Sequence, residues 1–556
     1  MHMRVVATLA ILVAAGLPAL PEPLHAQAGA TSTSASAPAA PAAVGRPITQ
    51  DDYDIWKSIQ GAALSNDGRW AVYSIAPAVG DGEMVVRSTS GATEYRVPRG
   101  YLGRAALTVA GPGAPLPPAQ FSADSRWAVA LTYAPMSEFE AARRSRRRPA
   151  PTPKASLAIV SLTDGQVVSV PRVKSFRMPK LSGGWLAYQL EAPDSTAART
   201  AADSAGAGAP NVAAAVPGAA PRPVAGDSSR PGQKRKVNGT TLVLRDLATG
   251  AETRLNDVVD YLFDERGGWL GYTVSSADSS RDGAYVRELR SGREITLLNG
   301  PGNYKQLTFD EAGSQLAFVS DREEHARPGP RHALYHASLP GGKPEVIVLA
   351  GAIGDDEVVS SSAEVRFVKA GSAIVFGIAP APLDSIPADS LADKAVFDLW
   401  HYKDARLQPE QIVRAGRDRN RSYAAIVQLK GRRLVRLGSD SLPQVTVGDD
   451  GRSALAVTDV PYSIEQMWGD GGSDVILIDA TNGKRTVVAE RVPFGAQLSP
   501  GGRFVLWFAD GAWHSYAVAS GRTADLTSGI TGTRFDQETW DTPSTPAPWG
   551  IGGWTG

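Results

Sequence analysis

The chain has 556 residues, with 57 Lys and Arg balanced by 57 Asp and Glu, and it contains no Cys. The balance gives no strong steering field for nucleic acid or anionic lipid. The absence of cysteine excludes disulfides, thiol catalysis and Cys-ligated zinc.

Taken in chain order, the first segment reads as a secretory signal. Arg4 supplies a short positive region, residues 5–20 are apolar but broken by Gly16 and Pro18, and Ala26-Gln27-Ala28 fits a small-residue cleavage site. Residues 1–28 are therefore expected to be a signal peptide, with no membrane span left after cleavage. Export without disulfides points to a bacterial periplasm or exterior. Residues 29–46, rich in Ala, Ser, Thr and Pro, are expected to form a flexible linker. Order is predicted from Ile48, where Thr49-Gln50-Asp51-Asp52-Tyr53 reads as a helix start.

A short phrase then recurs. It reads Leu64-Ser65-Asn66-Asp67-Gly68-Arg69-Trp70-Ala71-Val72 and returns as Phe121-Ser122-Ala123-Asp124-Ser125-Arg126-Trp127-Ala128-Val129. Further copies begin at Leu181, Phe263, Phe309, Phe367, Val447 and Leu498. The Asp-Gly or Gly-Gly pair supplies the positive-φ positions of a tight turn. The strand after it is apolar on both alternating sets of side chains, so a sheet must pack on each of its faces. A second hairpin follows each copy, as at residues 157–165, 242–250 and 475–483. Two hairpins per repeat of roughly 45 to 60 residues is the pattern of β-propeller blades. The predicted fold is all-β, a seven- or eight-bladed β-propeller over residues 47–556. An ordinary β-sandwich is the alternative.

Two interruptions break the series. Residues 191–233, dominated by Ala, Gly, Pro and Ser, are expected to be a disordered low-complexity insertion. Residues 380–394 form the other, with helix-forming character after Ser385. The closing Trp549-Gly550-Ile551-Gly552-Gly553-Trp554 looks like the opening of a further copy, so the propeller is expected to be incomplete at its C-terminus.

Catalytic chemistry is sparse. No Ser sits in the Gly-x-Ser-x-Gly pattern of a hydrolase nucleophile elbow. Seven His are present: His2 and His25 leave with the signal, His325 reads as loop, and His332 and His336 flank a strand and read as edge-strand residues rather than a metal pair. His401 and His514, beside Trp400 and Trp513, read as packed blade residues. The basic run Arg143-Arg144-Ser145-Arg146-Arg147-Arg148 and the acidic run Asp355-Asp356-Glu357 read as solvated loops. Glu323 and Glu324 are the candidate site residues, a carboxylate pair that would hold the free amine of a peptide at a propeller mouth. No cofactor or metal is implied.

The residues Phe397-Asp398-Leu399-Trp400-His401-Tyr402-Lys403-Asp404-Ala405-Arg406-Leu407-Gln408-Pro409, with Arg417, Arg421 and Tyr423 beyond them, carry a more specific signal. Together with the Ile48–Trp56 opening, this phrase resembles the N-terminal propeller of bacterial prolyl oligopeptidase-like serine peptidases (the S9 group). That resemblance implies a ring that admits short or unfolded peptides to a C-terminal α/β-hydrolase domain carrying the catalytic triad. The hydrolase is absent here, so no catalytic residue carries over. The expected partners are peptides and the missing hydrolase domain, not nucleic acid. The competing readings are a stand-alone periplasmic scaffold propeller and a propeller enzyme with a site in its tunnel. The tunnel site needs recurring carboxylates or His that the repeats do not show.

Overall fold

The computed structural model describes residues 48–103, 118–145, 153–192, 236–327, 329–354, 356–381, 400–469, 471–539 and 544–555. The expected signal peptide and linker, nearly all of the low-complexity insertion, most of the 380–394 interruption, Phe397 to Leu399 and Arg146 to Arg148 lie outside them. The chain divides into two units, residues 1–52 and 53–556. The Thr49 N–H donates to the Asp52 carboxylate at 2.7 Å, the reach-back that fixes a helix start, and the helical turn Gln50–Asp54 runs through the boundary in sequence.

The second unit is built almost wholly of antiparallel hairpins. Seven sheets follow one another along the chain, five of them four-stranded with strands in simple sequential order. The five-stranded sheet differs only in that its first strand is split into Glu357–Val359 and Arg366–Phe367, both paired with Ala373–Pro380. The seven-stranded sheet contains two repeats joined by one long strand, Glu252–Phe263. That strand pairs backwards with Thr240–Asp246 and forwards with Trp269–Val274, and its register shifts in both pairings near Val258. Asp257 at φ 58° supplies the kink, so one strand closes a repeat and opens the next.

Each repeat turn adopts the backbone its sequence demands. Gly68, Gly267, Gly313, Gly371, Gly451 and Gly502 have φ between 63° and 70°, and Ser125 takes the same place at φ 57°. Sheet then packs on sheet. Val129, Leu131, Leu157 and Ile159 of the second repeat bury against Leu186, Tyr188 and Val243 of the third. Val368, Val375 and Ile426 of the sixth meet Ala454, Ala456 and Ile478 of the seventh. Each such side chain taken from water contributes about 1.5–3 kcal/mol, and the repeats divide this among successive interfaces. Sheets in series, each using both faces of its central strands, form a propeller-like fold.

Burial on both faces fails at one place. In Trp127–Thr132 of the second repeat the four central residues are all buried, whereas in Trp70–Pro77 of the first only alternate residues are. The strand Lys57–Leu64 is exposed almost throughout, with Ile59 at 68 % and Leu64 at 66 %. Among the described residues the first sheet has a packed neighbour on one side only. No core cluster or sheet pairing joins it to the last sheet among the described residues.

Candidate functional site: the loop-bearing end

The repeat turns lie against one another, and this sorts the molecule into two ends. The Asp67 N–H donates to Ser125 Oγ at 3.2 Å, and Asn66 Nδ2 donates to the Ala123 carbonyl at 3.0 Å. The Leu181 N–H donates to Glu265 O (2.8 Å), Gln315 Nε2 to Gly371 O (3.1 Å), Lys369 N–H to Asp449 O (3.2 Å) and Asp449 N–H to Pro500 O (2.9 Å). Where no hydrogen bond bridges the turns, close approach does. A Cβ on Gly183 would stand 2.2 Å from Asp124 Cγ, and one on Gly313 would stand 2.6 Å from Asp264 Oδ2. At Gly313 the glycine therefore serves twice, as the positive-φ residue and as the gap that lets the preceding turn approach. Gly68, with no preceding turn, has nothing within 4 Å of its would-be Cβ.

Since the turns between first and second strands share one end, the connections between second and third strands share the other. These are the long ones: residues 133–155, 191–239, 275–282, 321–332, 381–422 and 459–472. The helices Met136–Arg144, Gln408–Asp418 and Ser463–Gln466 all belong to them. No helix among the described residues is long and apolar enough to cross a membrane. One end of the fold is thus tight and repetitive, and the other carries all the variation. Function concentrates where a rigid scaffold presents variable loops.

Glu323 and Glu324 lie in the fourth of these connections, in the fifth repeat, just past the strand Gln315–Ser320. They are not equivalent. Glu324 is largely buried and accepts from Arg331 Nε at 3.0 Å, Arg331 Nη2 at 2.9 Å and Arg327 Nη1 at 3.2 Å. The Arg331 guanidinium holds its carboxyl below the usual range. Glu323 is 63 % exposed along its side chain and meets only its neighbour Arg322, at 2.9 Å. Asp321, buried beside them, accepts from the Asn303 N–H at 2.6 Å and Asn303 Nδ2 at 2.7 Å, with His325 Nδ1 at 3.5 Å. Burial pushes the nearby His332 imidazole down to about 4 against the pull of Asp321, and its Nε2 has no partner. Across the sheet, the buried Tyr335 hydroxyl is also unpartnered and burial pushes it up to about 12.

The remaining histidines are scattered. His332 and His336 do not form a pair: His336 Nε2 lies 2.9 Å from Gln315 Oε1, while His332 makes an isolated bridge to Val359 in the next sheet. His336 sits in a third strand flanked on both sides, not on an edge. His514 lies in the strand Ala512–Ala517, stacked on Trp507. His401 is no packed blade residue: it is exposed, its ring tilted against Tyr402 at 4.7 Å in the connection between second and third strands of the sixth repeat, because the phrase it belongs to is an insertion and not a strand. Arg143 and Arg144 end the helix Met136–Arg144, where Arg144 pairs with Glu140 at 3.0 Å. Glu357 of the acidic run pairs with Arg436 at 2.8 Å, and Asp355 lies outside the described residues. Among the described residues no histidine hydrogen-bonds a serine hydroxyl, and no three acidic or imidazole groups gather as metal ligands.

Sequence reasoning missed the helix Gln408–Asp418. Its signals were present: Pro409 in the first turn, Glu410 near the start and Arg417 near the end.

No protein-family model matches the chain. No curated protein sequence matches it either. Among solved structures, the chain is similar to a eukaryotic initiation factor (11 % identity, 84 % of this chain and 88 % of that one, TM-score 0.39). It is similar to a prolyl endopeptidase (12 % identity, TM-score 0.33), with 84 % of this chain matching 55 % of that one. TolB from Acinetobacter baumannii is similar over 72 % of this chain and 79 % of its own (11 % identity, TM-score 0.23).

Proposed function

We propose that this chain is the non-catalytic, substrate-gating region of an exported serine peptidase of the prolyl oligopeptidase type, with its repeats counted as eight blades and the hydrolase supplied by a separate segment. The observation that carries this reading is the division of the fold into a tight-turn end and a loop-bearing end, with the family-like Trp400 to Arg421 stretch on the latter. Such an end is where a hydrolase would dock and where a peptide would pass. Glu323, the accessible member of its pair, is the carboxylate that would receive a peptide amine, while Glu324 and its two arginines hold the loop in shape. In this reading residues 1–28 direct export and residues 29–46 tether the propeller.

The test pairs the purified chain with a prolyl oligopeptidase-type hydrolase domain, expressed together. The chain alone gives no turnover of aminoacyl or prolyl substrates. Together, the two cleave short peptides and spare folded proteins. Turnover by the chain alone, or cleavage indifferent to substrate size, would reject the proposal. The scaffold reading is favoured by the bare apolar side chains of the loop-bearing end. Recovery of one stable partner from periplasmic extract, with no peptidase among its components, would select it.

A further inference from the structure

Four of the large apolar side chains stand out as the most exposed among the described residues: Tyr402 at 85 %, Val413 at 84 %, Val237 at 81 % and Trp468 at 81 %. They come from three different repeats, the third, sixth and seventh. All four lie in connections between second and third strands, so all four project from the loop-bearing end.

The helix Gln408–Asp418 is turned inside out. At 100° per residue, Gln408, Gln411, Arg414 and Ala415 share one face, and these are its partly buried residues. Pro409, Ile412, Val413 and Gly416 share the opposite face, and these are exposed. The polar side is occupied locally, with Gln411 Nε2 donating to Arg406 O at 2.8 Å and Arg414 Nη1 to Glu410 at 2.7 Å. A soluble helix normally presents the reverse arrangement. Trp400 and Leu407, each 64 % exposed, extend the same bare surface.

Charge surrounds it. The whole chain is neutral, but residues 400–421 hold six Lys and Arg against three Asp and Glu. Lys403, Arg417 and Arg419 make no ion pair with any described carboxylate. Aromatic and aliphatic tips ringed by uncompensated cations, set on one end of a rigid scaffold, match the chemistry of a bilayer interface. The rings and aliphatic tips enter the headgroup region, and the cations meet lipid phosphates.

We propose that in the chain without a hydrolase bound the loop-bearing end docks peripherally on a bilayer rich in anionic phospholipid, with Trp400, Tyr402, Val413 and Trp468 entering the interface and Lys403, Arg417 and Arg419 selecting the charge. The test is sedimentation of the purified chain with vesicles of phosphatidylcholine alone and of phosphatidylcholine mixed equally with phosphatidylglycerol. Binding to the anionic vesicles is expected to be at least tenfold stronger and to fall as salt is raised. The triple variant Lys403→Gln, Arg417→Gln, Arg419→Gln should lose most of the difference between the two vesicles. The double variant Val413→Asp, Trp468→Asp should lose binding to both. These side chains are exposed, so circular dichroism and the unfolding midpoint of the variants should match the parent chain. The proposal is overturned by failure to bind anionic vesicles, by equal binding to both vesicles, or by unchanged binding of the folded variants. It is overturned too if these side chains are buried against a second copy of the chain or an acidic protein partner in solution. None of these readouts depends on peptidase activity, so the result stands apart from the hydrolase-pairing test.

Discussion

The turn-on-turn contacts make a matched pair of substitutions informative. Gly68 and Gly313 occupy the same place in their repeats, at φ 70° and 69°. Alanine at either position carries the left-handed penalty of about 1–2 kcal/mol. At Gly68 nothing further happens, since its Cβ would enter open space. At Gly313 the Cβ would lie 2.6 Å from Asp264 Oδ2 and 3.2 Å from Asp264 Cγ. Asp264 cannot swing aside cheaply, because it is 2 % exposed and its carboxylate accepts from the Trp269 N–H at 2.6 Å and the Arg266 N–H at 3.2 Å. Overpacking of this kind costs about 1–3 kcal/mol more. Gly68→Ala should therefore destabilise by about 1–2 kcal/mol and Gly313→Ala by about 2–5 kcal/mol. Urea unfolding gives the overall loss, and amide exchange in the strand Trp269–Val274 should report it locally for Gly313→Ala only. Equal losses at the two sites would refute the claim that each turn leans on the one before it.

Other expectations follow from the same geometry. Ser125→Ala keeps the positive φ and removes the acceptor for the Asp67 N–H, so it should cost about 1 kcal/mol, whereas Ser125→Gly relieves the backbone as it loses the bond and should come out near neutral in urea unfolding. His332 titrates at about 4 when folded and near 6.5 when unfolded. Unfolded chains therefore bind the extra proton first, and stability should fall by on the order of 2–3 kcal/mol as pH drops from about 6.5 to about 4. His332→Phe should flatten unfolding midpoints across that window. Glu324 has a depressed folded pKa, so its contribution is present above the ordinary carboxylate range and lost as pH falls through the folded value. Protection of the Arg331 amide, measured against its intrinsic exchange rate at each pH, should fall in acid, and Glu324→Gln should lower it at neutral pH. In the reconstituted peptidase, Glu323→Gln should raise KM about tenfold for peptides with a free amine and leave N-acetylated peptides unchanged.

The repeat turns were legible because their requirement is local: a positive φ at the Gly68 position and its equivalents is written in single residues, whatever lies around them. The shared strand Glu252–Phe263 was not, because its break comes from Asp257, which any sequence reader takes for a surface strand residue. His401 was misplaced for a related reason. Trp-His-Tyr alternates like a strand, and only the sheet register, which passes from Ala373–Pro380 directly to Tyr423–Gln428, puts it in an insertion.

Burial was the least legible property, and the first sheet shows why. Trp70-Ala71-Val72 and Trp127-Ala128-Val129 are the same three residues in the same phrase, yet Ala128 is fully buried and Ala71 is not. The strand's own sequence states that it can be covered on both faces. Whether it is covered depends on the sheet that precedes it, and among the described residues none precedes the first. Gly68 carries the same information in one atom: it retains the cleft that Gly267, Gly313, Gly371, Gly451 and Gly502 use, with no turn in it among the described residues. A repeat sequence thus specifies a surface competent for a neighbour, and the number and order of copies decide which surfaces receive one. The Gly68→Ala and Gly313→Ala pair separates these two contributions, because the residue and its backbone are held constant while the neighbour alone changes.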